Sequence, residues 1–330
     1  MTSEKLKYLC CGIGLALMLL IAGCKELEET LPIPPQRTRV EAIPEDAVKY
    51  TPEMDLFPPV LHTDDWAAPV PLSGPVNTAG AEDAPVITYD GNTFFFFFTP
   101  DVRVPPERQI IDYVTGIYWT RFQDNHWTEP ERMMLCDDIA LDGPMSVIGD
   151  TLWFASFRVG NYRDDGDIYW VEWHGQRWEN WQNAGEVLNG DYNIGEMCIS
   201  PNDSTLYFDR SGTDGLGGQD LWMTERAGGS WTEPVNLGAP VNTASDESRP
   251  CLSANGRELY YTGTSRMGYT GPALFRTVMS DSGWSDPEEI ISNFAGDPAM
   301  DAAGNIYFTH HFFDSSFAMI EADIYVAYRR

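Results

Sequence analysis

The sequence predicts an all-β fold, a five-bladed β-propeller closed by an N-terminal strand that completes the C-terminal blade; three observations carry this. Residues 66–79, WAAPVPLSGPVNTA, and residues 231–244, WTEPVNLGAPVNTA, agree at nine of fourteen positions without a gap, an internal repeat. A short aromatic segment recurs as TFFF at 93–96, TLWF at 151–154, TLYF at 205–208, ELYY at 258–261 and NIYF at 305–308, at spacings of 58, 54, 53 and 47 residues. Aromatic residues make up 13% of the chain beside 29 Gly and 23 Pro, the composition of many short strands joined by turns.

The elements of one unit follow in order. A tight-turn signal (Asp90-Gly91, Gly149-Asp150, Asn202-Asp203, Asn255-Gly256, Ala303-Gly304) precedes each aromatic strand and separates it from an inner strand. A polar loop then leads to a third strand: GIYWTRF from Gly116, DIYWVEW from Asp167, DLWMTER from Asp220, ALFRTVM from Ala273 and DIYVAYR from Asp323. A Trp-containing fourth strand closes four units, near Trp127, Trp178, Trp231 and Trp284. The fifth unit stops at Arg330 without one, whereas the copy led by Trp66 has no unit before it. Pairing the two closes the ring and covers edges that an open sheet leaves available for aggregation. The run Phe94–Phe98 reads as a strand buried on both faces.

Ahead of the repeats, Lys5 and Lys7 precede an apolar run from Tyr8 to Gly23, about 16 residues and too short for a comfortable membrane span. The stretch Leu20-Ile21-Ala22-Gly23-Cys24 resembles the lipobox of bacterial lipoproteins. That resemblance implies cleavage of residues 1–23, a diacylglycerol thioether on Cys24 and acylation of its amino group, because one acyl chain alone anchors only marginally. It also implies a cell-envelope location on the outer membrane, the membrane being one partner through the lipid. Residues 24–59, with seven prolines among charges, read as an acidic Pro-rich tether, and residues 60–330 as the propeller. Of the six cysteines, Cys136, Cys198 and Cys251 are left after Cys24 is lipidated, an odd number that indicates no disulfide framework.

The segments ISPNDSTLYF from Ile199, DGLGGQDLWMTE from Asp214 and SWTEPVNLGAPVNTASDESRPCLSANGRELYYTG from Ser230 resemble the WD-repeat-like, TolB-type propeller repeats of bacterial envelope proteins. The resemblance is close over residues 194–265 and implies fold more than activity, since such repeats serve many roles.

With 50 acidic against 21 basic residues the formal charge is −29, which repels phosphate backbones and excludes nucleic acid as a partner. Aligned on the aromatic strands, Glu82, Asp142 and Glu247 share one inner-strand position, and Glu196, Arg249 and Asp297 share the position two residues later. An offset of two keeps side chains on one strand face, so these are the candidate ligand-binding residues of the channel mouth. Asp83 falls one out of register, on the opposite face. Two readings stay open: carboxylates that cap turns of the repeat, or a centre in which Glu196 donates a proton and Asp142 or Asp297 acts as base. The second resembles five-bladed propellers that cleave furanosides, where paired carboxyls stand about 5–9.5 Å apart.

Asp164, Asp165 and Asp167 offer oxygens to calcium, which wants six to eight, but lack the spacing of a known calcium loop. No cofactor motif, His-Glu-x-x-His, Gly-x-Ser-x-Gly or phosphate loop is present, and His310 and His311 point to opposite strand faces. The expectation is a lipid-anchored propeller acting as a non-catalytic binding or scaffold module for a protein or glycan; a glycoside hydrolase-like propeller is the alternative.

Overall fold

A computed structural model describes residues 37–135, 140–164 and 166–330. The signal segment 1–23, Cys24, the first part of the tether, Cys136 and Asp165 lie outside the described residues.

Five antiparallel meanders follow one another. Unit 1 comprises Ala81–Ile87, Thr93–Thr99, Gly116–Gln123 and Glu131–Arg132; unit 2, Leu141–Ile148, Thr151–Phe157, Asp167–Trp173 and Trp178–Asn183. Unit 3 comprises Met197–Ile199, Thr205–Ser211, Gln219–Ala227 and Val235–Asn236; unit 4, Glu247–Leu252, Glu258–Thr264, Pro272–Ser280 and Glu288–Ser292. Unit 5 has Ala295–Met300, Ile306–Phe313 and Met319–Ala327, and its fourth strand is Val70–Pro71. The first strands touch in a cycle, unit 1 with 2, 2 with 3, 3 with 4, 4 with 5 and 5 with 1. This is the plan of a β-propeller, with inner strands around a central channel.

The ends of the chain meet inside one sheet. Val70 faces Val326, Pro71 faces Tyr325, and Trp66 bridges Arg329 while its indole donates to the Gly304 carbonyl at 2.8 Å. The repeat copy does the same work in unit 3, where Trp231 faces Arg226 and Val235 faces Met223. The shared Val-Asn-Thr sequence also recurs as contact: Asn77 pairs through its amide with both backbone groups of Ile324, and Asn242 with those of Leu221. Each amide docks a loop onto a third strand, accepting from a backbone N–H and sharing a carbonyl that Leu72 or Leu237 also reaches.

The core lies between units. Phe94, Phe96 and Phe98 pack toward unit 5 with Ile324 and Val326; Phe95 packs the other way, toward unit 2 with Val147 and Phe154. A strand between two sheets is apolar on both faces, which accounts for five consecutive phenylalanines.

The segment expected to be a tether departs from that reading over residues 37–59, which lie on the disc. The repeats explain why. Units 2, 3 and 4 each set a cation from their own second strand or the loop after it over the aromatic residue of the third strand: Arg158 over Tyr169 at 4.5 Å, Arg210 over Trp222 at 3.8 Å, Arg266 over Phe275 at 4.6 Å. Unit 1 takes its cation for that position from the N-terminal segment, which also sets a lysine over a second-strand ring of unit 5. Arg39 enters from a short helix, Arg39–Ala42, whose start is closed by a Thr38–Glu41 capping box. Its guanidinium lies 5.3–5.8 Å from the rings of Phe96, Phe98 and Tyr118, pairs with Glu82 at 3.0 Å and donates to the Val76 and Pro75 carbonyls. Lys49 sits over Phe312 and pairs with Glu321 and Asp323, and Asp55 meets the buried His310 at 2.7 Å. A segment that supplies a missing member of a repeat is bound by the repeat.

Candidate functional site at the channel mouth

The inner strands of units 1, 4 and 5 carry a bulge at the same place, with Ala84, Arg249 and Asp297 at φ of 49°, 56° and 54°, each followed by proline. Left-handed backbone is uncommon at non-glycine residues and bends a strand where a side chain must be re-aimed. Each of these residues donates its backbone N–H to a side-chain oxygen on the second strand of the preceding unit: Arg249 to Asp209 at 2.8 Å, Asp297 to Thr262 at 3.0 Å, Ala84 to Thr309 at 3.2 Å. The three oxygens occupy equivalent repeat positions, so the same bond staples unit 3 to 4, 4 to 5 and 5 to 1.

These staples gather a polar cluster at the mouth. Arg249 pairs with Asp297, whose second oxygen, Oδ2, is buried without a hydrogen-bond donor. Asp83 accepts from the Thr309 hydroxyl at 2.8 Å and stands 3.9 Å from the His311 imidazole. Asp209 accepts from the backbone of Arg249 and Glu196 and from the Gln219 amide at 2.6 Å. Burial pushes Glu196 up to about 7, with Arg249 opposing and Asp209 and Asp83 adding to the shift. Burial likewise lifts Asp209 to about 6. Burial also works against ionisation of Asp83, but His311, Arg249 and Thr309 together outweigh it and hold that carboxyl below the usual range.

The six residues read from the sequence separate into two groups. Glu196, Arg249 and Asp297 belong to the mouth. Glu82, Asp142 and Glu247 do share one position, opposite Phe98, Ser156 and Gly263, but each is already engaged by a structural partner. Glu82 accepts from the Thr78 N–H and hydroxyl and from Arg39; Glu247 accepts from the Thr243 N–H and hydroxyl; Asp142 pairs with Arg158 at 2.8 Å. Glu82 and Glu247 therefore perform the capping role and Asp142 is held in an ion pair, whereas Asp83, one residue beyond Glu82 and on the other face of the strand, is the one that reaches the mouth. Strict alternation set Asp83 on the opposite face and gave Asp209 and His311 no site role, because a bulge decides where the first strand points; Asp209 could have been found as the one acid at its repeat position.

One step deeper, Pro85, Met145, Cys198, Pro250 and Pro298, one from each unit, surround a cavity of about 40 Å³. That volume admits a few water molecules and no sugar, so the mouth is a shallow cup with an apolar floor. The Cys198 and Cys251 thiols are free in this floor, and burial pushes Cys251 up to about 12. Among the described residues no group of three or more His, Cys, Asp or Glu side chains is placed to hold a metal ion. Asp167, in the loop weighed for calcium, instead accepts from the Tyr162 backbone and the Asn183 amide, and Asp220 likewise accepts backbone and Asn donors that shape a turn. In unit 2, Trp178 packs on Phe95 and Trp173, whereas Trp181 is 42% exposed beside Arg158.

The raised carboxyls make stability depend on pH. A group whose folded pKa lies above its unfolded value near 4 contributes fully below that value and loses its contribution as pH rises through the folded one. Glu82 and Glu196 at about 7, Asp209 at about 6 and Glu321 at about 8 all act in this sense, while Asp83 and Glu289, held low, have given their full contribution by about pH 5. The Tm is therefore expected to fall steadily from pH 5 to pH 8.5, and Glu196→Gln to flatten the slope. A Tm that rises over that interval contradicts the assignment.

No protein-family model and no curated protein matches this chain. Among solved structures it is similar to TolB from Acinetobacter baumannii, at 11% identity and TM-score 0.42, over 77% of this chain and 56% of that one. The chain thus spans a little over half of that protein's length. It is also similar to the α-L-arabinofuranosidase of Podospora anserina solved with cellotriose (13% identity, TM-score 0.47, 79% of this chain and 95% of that one). A third likeness is to an α-L-arabinofuranosidase from Lactobacillus brevis (12% identity, TM-score 0.42, 75% and 90%). Likenesses this distant bear on fold and do not choose a function.

Proposed function

We propose that the five meanders form one closed five-bladed propeller, lipid-anchored through Cys24 to the outer membrane, that works as a non-catalytic binding module with its ligand at the mouth face. The observation that carries this is the state of the acids that the sequence places at the mouth. Asp297 is tied to Arg249, Asp142 to Arg158, and Glu82 and Glu247 to their capping threonines, so the expected array of free carboxylates is largely spent on holding the disc together. A rigid disc offering a shallow cup suits recognition of a protein or glycan. The anchor rests on Leu20–Cys24; incorporation of labelled palmitate that Cys24→Ala abolishes supports it, and unchanged labelling rejects it. No cofactor enters this reading, and calcium is expected to leave the Tm unchanged, since a ligand bound only by the native state must raise it.

One observation favours a second reading, glycoside hydrolysis. Glu196 is raised to about 7 while neighbouring Asp83 is held ionised, the split of acid and base that such chemistry uses. A screen of furanosides and oligosaccharides separates the two. The binding module shows no turnover; hydrolysis abolished by Glu196→Gln, with melting retained, establishes the enzyme.

A further inference from the structure

Arginines lie over aromatic rings throughout this chain, and all but one of those among the described residues are also paired with an acid. Arg39 pairs with Glu82, Arg158 with Asp142, Arg210 with Asp214, Arg226 with Asp203, Arg266 with Glu247, and Arg276 and Arg329 both with Asp65. Arg121 is the exception. Its guanidinium lies between two indoles, 4.6 Å from the ring of Trp119 and 4.8 Å from that of Trp173, and no carboxylate or other acceptor meets it among the described residues. The chain holds 50 acidic residues, so this gap breaks its own rule.

Trp119 and Arg121 belong to the third strand of unit 1, Gly116–Gln123, and Trp173 ends the third strand of unit 2, the two indoles meeting at 5.4 Å across the seam. Gly116 faces Phe98 beside the mouth, and Arg121 lies at the other end of that strand, so the cluster is separate from the mouth. Acids of the adjoining hairpin are turned elsewhere: Glu172 stands 3.6 Å from His174, and Glu179 pairs with Arg177. Trp178 packs on Trp173, and its indole N–H is buried without an acceptor, so the seam has more donors than it can satisfy. Trp119, Arg121 and Trp173 are each partly exposed. Rings on its two sides hold a guanidinium in place without using its five N–H donors, which lie in its own plane. A fork held in this way suits the two oxygens of a carboxylate.

From this arrangement we infer that the seam of units 1 and 2 binds a uronic acid residue of a glycan, with its carboxylate on the Arg121 fork and its sugar ring beside the indoles of Trp119 and Trp173. A sugar acid carries the carboxylate directly on its ring, so the fork brings the ring to the indoles. An aspartate or glutamate side chain would bring only methylene groups there. Net charge sharpens the choice, because a chain of charge −29 repels sulfated or phosphorylated polymers more than a glycan with isolated single charges. The site goes beyond the mouth face and does not depend on the ligand taken there.

The test titrates methyl glucuronide, methyl glucoside, N-acetylglutamate amide and inorganic phosphate against the full chain by calorimetry at low salt. The glucuronide is expected to bind at least about tenfold more tightly than the other three, and to weaken as salt is added. Arg121→Gln should remove that preference, whereas Glu196→Gln at the mouth should leave it. Arg121 is partly exposed and glutamine keeps part of its stem between the rings, so the variant should melt like the unaltered chain; if it does not, Arg121→Lys, which keeps the charge and loses the fork, is expected to bind the glucuronide more weakly. Equal binding of glucuronide and glucoside, or glucuronide binding that ignores Arg121 or depends on Glu196, overturns the site. Phosphate or the glutamate amide bound as tightly through Arg121 overturns the sugar in favour of a general anion fork. Absence of binding by every probe overturns both.

Discussion

A chain beginning at Gly80 is expected to lose cooperative folding. It lacks Trp66, which is fully buried, hydrogen-bonded to the Gly304 carbonyl and covered by the guanidinium groups of Arg276 and Arg329 at 5.1 and 4.4 Å. It also lacks Val70–Pro71 and the Asn77 amide, so that the edge of Met319–Ala327 is laid bare. An uncovered long edge strand pairs with other copies, so the truncated protein should aggregate rather than populate a smaller fold. Trp66→Ala is the milder form of the experiment, at about 3–5 kcal/mol for emptying a large aromatic site. The measurement is thermal unfolding with light scattering. A truncated chain that melts like the whole one shows that the ring does not need its N-terminal strand.

Arg39→Ala should cost about 3 kcal/mol or more, large for a residue in a segment that reads as a spacer. The change leaves Glu82 buried without its counter-charge, strips the Val76 and Pro75 carbonyls of a donor and uncovers Phe96, Phe98 and Tyr118. At about 2–4 °C per kcal/mol for a domain of this class, the Tm should drop by roughly 6–12 °C. Adding Glu82→Gln should recover part of the loss, because the double variant no longer holds an unpaired acid, and the non-additivity measures the coupling. A loss below about 0.5 kcal/mol, the level of an ordinary surface change, would show that the segment merely rests on the disc.

How much of this was legible varies with the kind of signal. The strands of each unit follow from period-two burial and turn residues, and the kinship of residues 66–79 with 231–244 pointed to the Trp66–Arg329 and Val70–Val326 pairings because equal sequences make equal contacts. The equivalence of Glu82, Asp142 and Glu247 was legible too, but not its meaning, since a strand position does not say whether the face is a channel or a seam between units. Arg39 and Lys49 carried no signal in sequence. A cation in a Pro-rich acidic stretch looks solvated until the repeats show that unit 1 lacks one of its own.

By itself the sequence determined the all-β class and the repeated unit, because turn chemistry, alternation and self-similarity are local or comparable by eye. Only the tertiary structure decided which acids meet. Bulges at Ala84, Arg249 and Asp297 rotate the chain by an amount that strict alternation cannot anticipate, and the partners they bring together lie 225, 40 and 35 residues away in sequence. Burial then sets the charge of each group, and burial belongs to the assembled disc.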